Sequence, residues 1–353
     1  MTNAEKLRAL LERSGLDALL LSGELNQRYV TRYKFSDGLV LLTKTHTYML
    51  TDFRYEEEAK KYVSADVTVI TPSAKLGFVA EELSGSGKRI GFEDAVMTFA
   101  EYKNAKGILS DFEFVPMSAE ISKVRAIKDE RELETIARAQ EITDAAFEHI
   151  LKFMRPDMIE CEIALELEFF MRRRGAEGLA FETIAVSGDA SALPHGKARN
   201  LPLKRGFFTM DFGAMFDGYC SDMTRTVVIG RADEEMRRLY NTVMTAQKEA
   251  LALIREGVSG QTVDRAARDI INDAGYAGCF GHGLGHGVGM YIHEAPRLST
   301  RADSALCEGH VVTVEPGIYL CGRYGCRIED MVAVTRDGYR NFTKSTKELI
   351  ELF

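Results

Sequence analysis

Glycine occupies every second position of the segment GHGLGHGVG, residues 281–289. This pattern suits neither a helix nor a well-packed strand, because each glycine loses backbone entropy on folding and has no side chain to bury. His282 and His286 lie between the glycines, and His293 follows a few residues later. The segment therefore predicts backbone that passes close to another group, with imidazole side chains beside it.

The rest of the chain favours two domains. With 353 residues it is too long for one small core. Up to about residue 120, apolar strand patterns alternate with helix patterns, which is typical of an α/β layer domain. A charged stretch then opens a long helix, for which Asp129 is the predicted N-cap. We predict an α/β domain over residues 1–122 and a second domain over residues 123–353.

The second domain contains a weak internal repeat with an offset of one hundred residues. Arg155 and Arg255 each close a long helix, and Gly175 and Gly275 each end the helix that follows. Each repeat is helix, helix, then strands broken by glycine. Two related halves that face each other would leave a cleft between them, which is a common place for a site.

Composition argues against several classes of protein. The chain has 45 basic and 53 acidic residues, a formal net charge of −8, which disfavours a broad nucleic-acid-binding surface. No apolar run approaches the roughly 20 residues that span a bilayer, and MTNAEKLRALLERSG predicts a capped helix rather than a signal peptide. The six cysteines are scattered without a C-x-x-C pair, so we expect reduced thiols and a cytoplasmic protein.

Carboxylates interrupt the apolar strand patterns of the second domain. FFTMDFGA carries Asp211, YCSDMTRTVVIG carries Asp222, HVVTVEPGIYL carries Glu315, and RIEDMVAVT carries Glu329 and Asp330. Burying an unpaired carboxylate is very costly, so buried acids are paired, hydrogen-bonded or bound to metal. One such acid is often part of a structural ion pair, but acids in four strands of one domain favour a shared cation site.

The residue types indicate which cation. Several carboxylates and one imidazole suit Mn²⁺, Co²⁺, Fe²⁺ or Zn²⁺ better than a metal that prefers thiolates. Four carboxylates carry too much charge for one divalent ion and match two ions with bridging carboxylates. Two ions about 3.5–4 Å apart are a known device for hydrolysis. In this interpretation the glycines let a strand pass close beside the metal pair, one histidine of the segment is a ligand, and the others face the substrate.

Five motifs carry a family resemblance. MDFGA, SDMTRT, GHGLGHGVG, VEPGIY and RIED, in this order and spacing, resemble the ligand motifs of the pita-bread metallopeptidases, in particular the Xaa-Pro aminopeptidase and prolidase (Xaa-Pro dipeptidase) group. FETIAVSGDASALPHG resembles that group's segment ending in Pro-His, and YKFSDGLVLLT and LTDFRYEEEA resemble the N-terminal domain shared with creatinase. The resemblance implies a creatinase-like α/β domain followed by an α+β pita-bread catalytic domain with a pseudo-twofold internal repeat.

The resemblance also implies roles for individual residues. The implied metal ligands are Asp211, Asp222, His286, Glu315 and Glu329. The implied catalytic residues are His195, His293 and Glu315, with Glu315 moving a proton and the histidines stabilising the tetrahedral intermediate or leaving group. The implied substrate-binding residues are His282, Tyr319, Arg327 and Arg54. Arg327 matches a position that contacts either substrate or acids next to the ligands, and Arg54 matches a position thought to reach across a dimer. Tyr319 and Asp330 are also expected to support the ligands, whereas His46, His149 and His310 are expected to be structural.

By resemblance, the protein is a metal-dependent exopeptidase. It would hydrolyse the bond between an N-terminal residue and proline through a hydroxide that bridges two ions, Mn²⁺ or Co²⁺, with Zn²⁺ or Fe²⁺ as alternatives. Its partners would be short peptides with proline in second position and, in a homodimer, a second copy. Three alternatives stay open: a strict Xaa-Pro dipeptidase, an aminopeptidase of other N-terminal specificity, and a non-catalytic peptide-binding protein. The intact ligand set argues against the last, and against a metal-free creatinase-like hydrolase.

Overall fold

The computed structural model describes residues 1–85 and 87–353, which form two compact units, Met1–Arg125 and Ala126–Phe353. The sequence prediction placed the division after residue 122, three residues before the observed one. Within the two described ranges, no helix is long and apolar enough to cross a membrane.

The first unit is an α/β layer built on one mixed sheet. Its strands are β1 (Ala18–Leu21), β2 (Leu39–Thr43), β3 (Thr47–Leu50), β4 (Val67–Ile70), β5 (Arg89–Phe92) and β6 (Glu113–Pro116). Its helices are α1 (Asn3–Arg13), α2 (Glu24–Thr31), α3 (Phe53–Tyr62), α4 (Lys75–Glu82), α5 (Phe99–Ile108) and α6 (Ser118–Ala126), which ends at the boundary. The strand order is β4-β3-β2-β1-β5-β6. Strands β2 and β3 form a hairpin, as the neighbouring strand patterns GLVLLT (38–43) and TYMLT (47–51) predict.

Long helices pack on the sheets of the second unit. They are α7 (Glu130–Phe153), α8 (Glu160–Arg173), α9 (Glu234–Ala252) and α10 (Gly260–Ile271). Asp129 caps α7 as predicted, because its carboxylate accepts the backbone N–H of Glu132 while the Glu132 carboxylate accepts that of Asp129. This reciprocal pair satisfies two donors at the start of the helix.

The strands of the second unit form two main sheets and two small ones. The strands are β7 (Gly178–Leu179), β8 (Ile184–Ser187), β9 (Gly206–Phe212), β10 (Ala214–Phe216), β11 (Tyr219–Cys220), β12 (Met223–Ile229), β13 (Gly285–Gly287), β14 (Glu294–Leu298), β15 (Val311–Val314), β16 (Gly317–Leu320), β17 (Tyr324–Arg327), β18 (Asp330–Val334), β19 (Tyr339–Asn341) and β20 (Glu351–Leu352). The orders are β20-β12-β9-β8 and β14-β13-β15-β18-β19 for the main sheets, and β11-β10-β7 and β16-β17 for the small ones.

The internal repeat is confirmed in the two shorter helices. Helices α8 and α10 begin one hundred residues apart and bury the same positions. The buried residues are Glu160, Ile163, Ala164, Leu167 and Met171 in α8, and Gly260, Val263, Asp264, Ala267 and Ile271 in α10. Gly175 and Gly275 follow with φ of 101° and 92°, a left-handed backbone that glycine adopts without strain. Helix α10 ends at Ile271, before the predicted end at residue 275. One π-helical turn, Asn272–Tyr276, follows it.

Strand β9 separates two apolar cores. Phe207 belongs to a core that contains Leu239 of α9, whereas the next residue, Phe208, belongs to a core that contains Leu167 of α8. Successive side chains of a strand point to opposite faces, so both faces of β9 are buried. Asp211 lies at even spacing from Phe207 and therefore shares its face.

The predicted strands are interrupted at three of the four acids. Asp222 lies between β11 and β12, Glu315 between β15 and β16, and Glu329 between β17 and β18, whereas Asp211 lies within β9. Pro316 directly follows Glu315 and has no N–H to continue a ladder, which explains the break there. The continuous strands expected over 219–230, 310–320 and 327–335 are therefore each two shorter strands.

The glycines of 281–289 serve contacts between strands. A Cβ on Gly285 would lie 2.0 Å from the carbonyl oxygen of Thr313, and one on Gly287 would lie 2.2 Å from that of Ala295. The expectation that these glycines make room beside a metal pair therefore needs correction, because the atoms they approach are backbone atoms beside β13. The consequence for the site is indirect: β13 and its His286 are held close between β14 and β15.

Gly285→Ala should destabilise the protein, because the added methyl group would collide with backbone rather than with a side chain that can move. We expect a loss of roughly 1–3 kcal/mol in the free energy of unfolding, measured by urea denaturation in EDTA. Gly281→Ala is the matched control, because no atom lies within 4 Å of its added Cβ. Equal stability of the two variants would contradict the close packing of β13.

Candidate active site

A cavity of about 520 Å³ in the second unit brings most of the predicted site residues together. Its lining includes His195, Asp211, Asp222, His282, His286, His293, Glu315, Arg327 and Glu329. Asp211 and His286 lie in strands of the two main sheets, whereas Asp222, Glu315 and Glu329 lie in short connections between strands. The two halves of the repeat thus each supply side chains to one cleft.

Part of the cavity lining is a buried cluster that could hold a metal ion. Asp222, His286 and Glu329 each offer a ligand atom, and these atoms lie within 4.8 Å of one another. His286 Nε2 is 3.5 Å from Asp222 Oδ2 and 3.4 Å from Glu315 Oε1. Asp222 and Glu329 are almost fully buried. Separations of this size suit several ligands around a shared ion.

The protonation of His286 favours a ligand role. Burial lowers the pKa of this imidazole to about 3, so the ring is neutral. Its Nδ1 donates to the carbonyl oxygen of Gly287 at 3.1 Å, which leaves a lone pair on Nε2. That lone pair faces the oxygens of Asp222 and Glu315, an arrangement of acceptors that a cation between them would stabilise.

Burial raises the pKa of three carboxyl groups of the cluster. Burial, together with repulsion from Glu329, raises the pKa of Asp222 well above its ordinary range. Burial, together with repulsion from Glu315, does the same to the pKa of Glu329. Burial raises the pKa of Glu315 to about 8 although the Arg327 guanidinium opposes the shift. Asp211 Oδ1 is buried without a hydrogen-bond partner among the described residues. This donor set fits divalent cations.

Arg327 and Thr224 connect the acids from behind. Arg327 Nη2 donates to Asp211 Oδ2 at 2.7 Å, and Nε donates to Thr224 Oγ1 at 2.9 Å. The Thr224 hydroxyl then donates to Glu329 Oε2 at 2.8 Å. The guanidinium also donates to Tyr319 and to the carbonyl of Pro194. Of the two roles implied for Arg327, these hydrogen bonds fit contact with the acids next to the ligands, because they orient the cluster.

Tyr319 lies behind the cavity wall, in contact with two predicted residues. Its hydroxyl accepts from Arg327 Nη1 at 2.8 Å and lies 2.9 Å from His282 Nε2. His282 Nδ1 donates to the carbonyl of Gly283, so Nε2 accepts the tyrosine proton. Burial lowers the pKa of His282 to about 4, which keeps this acceptor neutral.

His195 and His293 lie on the cavity wall. His293 approaches His286, with ring centroids 4.5 Å apart at 75°. Burial and then Arg297 lower the pKa of His293, so it is a neutral ring beside the cluster. His195 is exposed and follows Pro194 in the loop after the short 3₁₀ helix Gly188–Ala192.

Three contributing residues escaped the sequence reasoning. Thr313 donates to Glu315 Oε1 at 3.2 Å and accepts the N–H of His286 at 3.0 Å. Thr313 and Thr224 each lie two residues from a predicted ligand, a strand spacing that could have indicated both. Arg297 lines the cavity, and no described hydrogen bond or ion pair involves its guanidinium. The only sequence feature that could have indicated Arg297 is its position four residues after His293.

Two predicted residues lie apart from the cluster. Arg54 belongs to the first unit, where its side chain pairs with Asp52 and Asp37. Asp330 pairs with Arg225 at 2.8 Å and with Lys347, so it anchors those cations.

The histidines predicted to be structural have local partners. The His149 ring stacks on Phe170 at 4.2 Å, and its Nε2 lies 2.6 Å from Glu166 Oε1. His310 Nδ1 accepts the N–H of Cys307, and His46 Nδ1 lies 2.8 Å from the Thr45 hydroxyl. None of the three lines the described cavity.

Two protein-family models match the chain. The model of metallopeptidase family M24 matches residues 134–336. The chain belongs to this family. The model of the creatinase/prolidase N-terminal domain matches residues 4–127. The resemblance seen in the sequence is thereby confirmed, and with it the creatinase-like domain and the pita-bread domain. The M24 chain is a hydrolase, and its family implies divalent metal ions.

Known proteins resemble this M24 chain over its whole length. It is 42% identical to the solved structure of an Xaa-Pro dipeptidase from Bacillus anthracis, with a TM-score of 0.94 and 99% of each chain covered. It is 36% identical to that of an X-Pro aminopeptidase from Thermotoga maritima, with a TM-score of 0.92, covering 97% of this chain and 99% of the other. It is 35% identical to an Xaa-Pro dipeptidase from Pyrococcus horikoshii, covering 98% of each.

The metal-free protein should lose thermal stability as the pH rises. Glu315 has a pKa of about 8 in the folded chain against an ordinary value of 4.5, so folding favours its protonated form. A raised pKa contributes stability below pH 4.5 that disappears as the pH rises towards 8. The Tm measured in EDTA should fall by roughly 5–10 °C over this window, and added Mn²⁺ should reverse the fall.

Glu315→Gln should flatten this dependence in EDTA, because the side chain can no longer ionise. The control is Glu308→Gln, which changes an exposed carboxylate. If the slopes of Tm against pH were the same in both variants and the parent, the electrostatic description of the cluster would be wrong.

Proposed function

We propose that this protein is a dinuclear metallo-exopeptidase that hydrolyses the bond between an N-terminal residue and proline, as an Xaa-Pro aminopeptidase. The observation that carries the proposal is the buried cluster of Asp222, His286 and Glu329 in the lining of the cavity. The names of the similar proteins, an X-Pro aminopeptidase and Xaa-Pro dipeptidases, support the choice of bond.

The proposed ligands for two ions are Asp211, Asp222, His286, Glu315 and Glu329. Mn²⁺ or Co²⁺ is proposed because four carboxylates and one imidazole form an oxygen-rich donor set. When bound, such ions lower the pKa of a water molecule and polarise the carbonyl under attack.

Glu315 is proposed to move the proton. Its Oε1 accepts from the Thr313 hydroxyl at 3.2 Å and lies 3.4 Å from His286 Nε2, so the carboxyl group is held beside the cluster. A prolyl nitrogen is a tertiary amide without an N–H, so it must gain a proton as the bond breaks. A carboxylate oxygen of Glu315 beside the cluster can take the proton from the attacking water and deliver it to this nitrogen.

His293 and His195 are proposed to stabilise the developing charge. The His293 ring lies beside His286, and burial lowers its pKa, which favours the neutral form. A neutral imidazole can donate an N–H hydrogen bond to the developing negative charge. His195 faces the same cavity from the loop after β8. His282, Tyr319 and Arg327 would act behind them by keeping the cluster oriented.

The finer parts of the proposal are a cytoplasmic location and a homodimer. The six cysteines are free in the described chain, which is typical of a reducing compartment. Arg54 is proposed to reach substrate across that dimer, and short peptides with proline in second position are the proposed substrates.

The decisive experiment is release of alanine from Ala-Pro-Ala and Ala-Pro by metal-stripped protein, with and without Mn²⁺ or Co²⁺. We expect metal-dependent cleavage of the tripeptide and none of Ala-Ala-Ala. Glu315→Gln should lower kcat by at least about 10²-fold while Mn²⁺ still raises the Tm. Glu308→Gln is again the control. Substantial turnover by a metal-loaded Glu315→Gln variant would remove the proton-transfer role.

A strict Xaa-Pro dipeptidase is a second candidate, favoured by Arg297. Its guanidinium lines the cavity and is absent from the described ion pairs, so it can pair with the free carboxylate of a dipeptide. The carboxylate of a tripeptide lies one residue, about 3.5 Å, further along. A dipeptidase would use this contact, whereas an aminopeptidase would not need it.

Arg297→Met should therefore separate the two candidates. In a dipeptidase the KM for Ala-Pro should rise by about 10-fold or more, while any cleavage of Ala-Pro-Ala should change little. In an aminopeptidase both substrates should change by the same factor. Lys197→Met is the control, because this cavity lysine already pairs with Glu182 at 2.9 Å.

A further inference from the structure

His195 lies on an irregular stretch of chain between two strands. Residues 188–198, here called the His195 segment, follow β8 and contain the short 3₁₀ helix Gly188–Ala192. Four consecutive residues of the segment, from Pro194 to Lys197, line the cavity. A loop holds a side chain less precisely than a helix or strand does, so the contacts that fix the two ends of the segment matter for His195.

One buried carboxylate binds both ends of the His195 segment. Glu160, the first residue of α8, is 0% exposed. Its Oε1 accepts the N–H and the hydroxyl of Ser187, at 2.8 and 2.7 Å, just before the segment. Its Oε2 accepts the N–H of Arg199 at 3.0 Å, just after the segment. Two residues that lie twelve apart along the chain are thereby joined to one side chain.

The Arg199 guanidinium strengthens this contact. Its Nε donates to Glu160 Oε2 at 2.8 Å and its Nη2 donates to Glu160 Oε1 at 2.6 Å, which makes a bidentate ion pair. Nη2 also donates to the carbonyl oxygen of Ser187 at 3.1 Å. Burial opposes ionisation of Glu160, but the hydrogen bonds from Arg199 and Ser187 outweigh it and lower the pKa of the carboxyl group. Glu160 is therefore ionised and bound by several donors.

The internal repeat places a different residue at the equivalent position of α10. Backbone N–H groups at the start of α8 donate to carbonyls within 199–201, and those at the start of α10 donate to carbonyls within 302–304. Gly260 replaces Glu160 there, and a Cβ on it would lie 2.2 Å from the carbonyl oxygen of Arg297, a cavity residue. In the second half, backbone packing thus does what the carboxylate does in the first. Both halves use the start of this helix to hold chain that leads to the cavity.

We propose that Glu160 is a positioning residue for His195, acting through Ser187 and Arg199 on the two ends of the His195 segment. Glu160 does not line the described cavity, so any effect on a bound peptide passes through the segment. On the cavity side, Arg327 donates to the carbonyl of Pro194, so the segment is held between Glu160 and the cluster. The effect on turnover rests on the proposed function, since the role of His195 belongs to it, whereas the order of the segment does not.

The first test measures the order of the segment without substrate. Glu160→Gln keeps the shape of the side chain but removes the charge that binds Arg199. Hydrogen–deuterium exchange, read by mass spectrometry, should become faster by about 10-fold or more over residues 188–198 and stay unchanged over residues 281–293. Glu93→Gln is the matched control, because Glu93 is a buried carboxylate of the first unit that accepts three hydrogen bonds. It should leave the exchange of both peptides unchanged.

Arg199→Lys is the second variant, and it decides the question if Glu160→Gln does not fold. The lysine keeps a cation beside Glu160 but cannot form the bidentate pair. The Arg199 side chain is partly exposed, so the protein should tolerate the replacement. We expect faster exchange over residues 188–198 here as well, again without a change over residues 281–293.

The second test links Glu160 to His195 by a double-mutant cycle. The substrate is whichever of Ala-Pro-Ala and Ala-Pro the parent protein cleaves with Mn²⁺. Glu160→Gln alone should lower kcat by about 10-fold and leave KM within about 2-fold. In a His195→Ala background the same substitution should change kcat by less than about 2-fold, because the residue through which it acts is gone. A purely structural role would lower kcat by the same factor in both backgrounds.

Three results would overturn the proposal: unchanged exchange over residues 188–198 in the folded variants, a rise in exchange that extends equally to residues 281–293, or an equal fall in kcat with and without His195. A parent protein that cleaves neither peptide would instead contradict the proposed function. The exchange measurement needs no substrate, so it would still decide whether Glu160 holds the His195 segment.

Discussion

The mutual repulsion of buried carboxylates is the constraint on which the second unit depends. Asp222 and Glu329 are withdrawn from water and placed within a few ångströms of each other, which raises the pKa of both. Such an arrangement is costly unless protons or cations occupy the space between the oxygens. The rest of the unit holds these groups together: Arg327 and Thr224 behind them, and two packed cores on either side of β9.

The internal repeat explains how one chain assembles such a cluster. The first half supplies Asp211 and Asp222, and the second half supplies His286, Glu315 and Glu329. Neither half contains a complete set. The hydrogen bonds from Arg327 to Asp211 and from Thr224 to Glu329 run between the halves, so the alignment of the two sheets is fixed by the same groups that orient the acids.

The features that could be predicted from the sequence are those that depend on short motifs and local patterns. The order of the motifs indicated the family and both domain types, and the capping residue Asp129 and the β2–β3 hairpin followed from short-range rules. The breaks in the strands at Asp222 and Glu329 could not be predicted, because apolar periodicity continues across them. Which residues Arg327 would contact also could not be predicted, since Thr224 and Asp211 lie more than a hundred residues away along the chain. Which residues bind metal and substrate stays a prediction.

The order of the proposed ligands along the chain has a consequence for biosynthesis. Arg225, next to Thr224, donates to the carbonyls of Ser345 and Thr346 and to Asp330. A nascent chain that has reached only residue 300 holds Asp211, Asp222 and His286 but still lacks Glu315, Glu329 and Asp330. The first unit can fold while the ribosome is still translating. The proposed ligand set is complete only once Glu329 has been synthesised, so ion binding by the whole set would come late in biosynthesis.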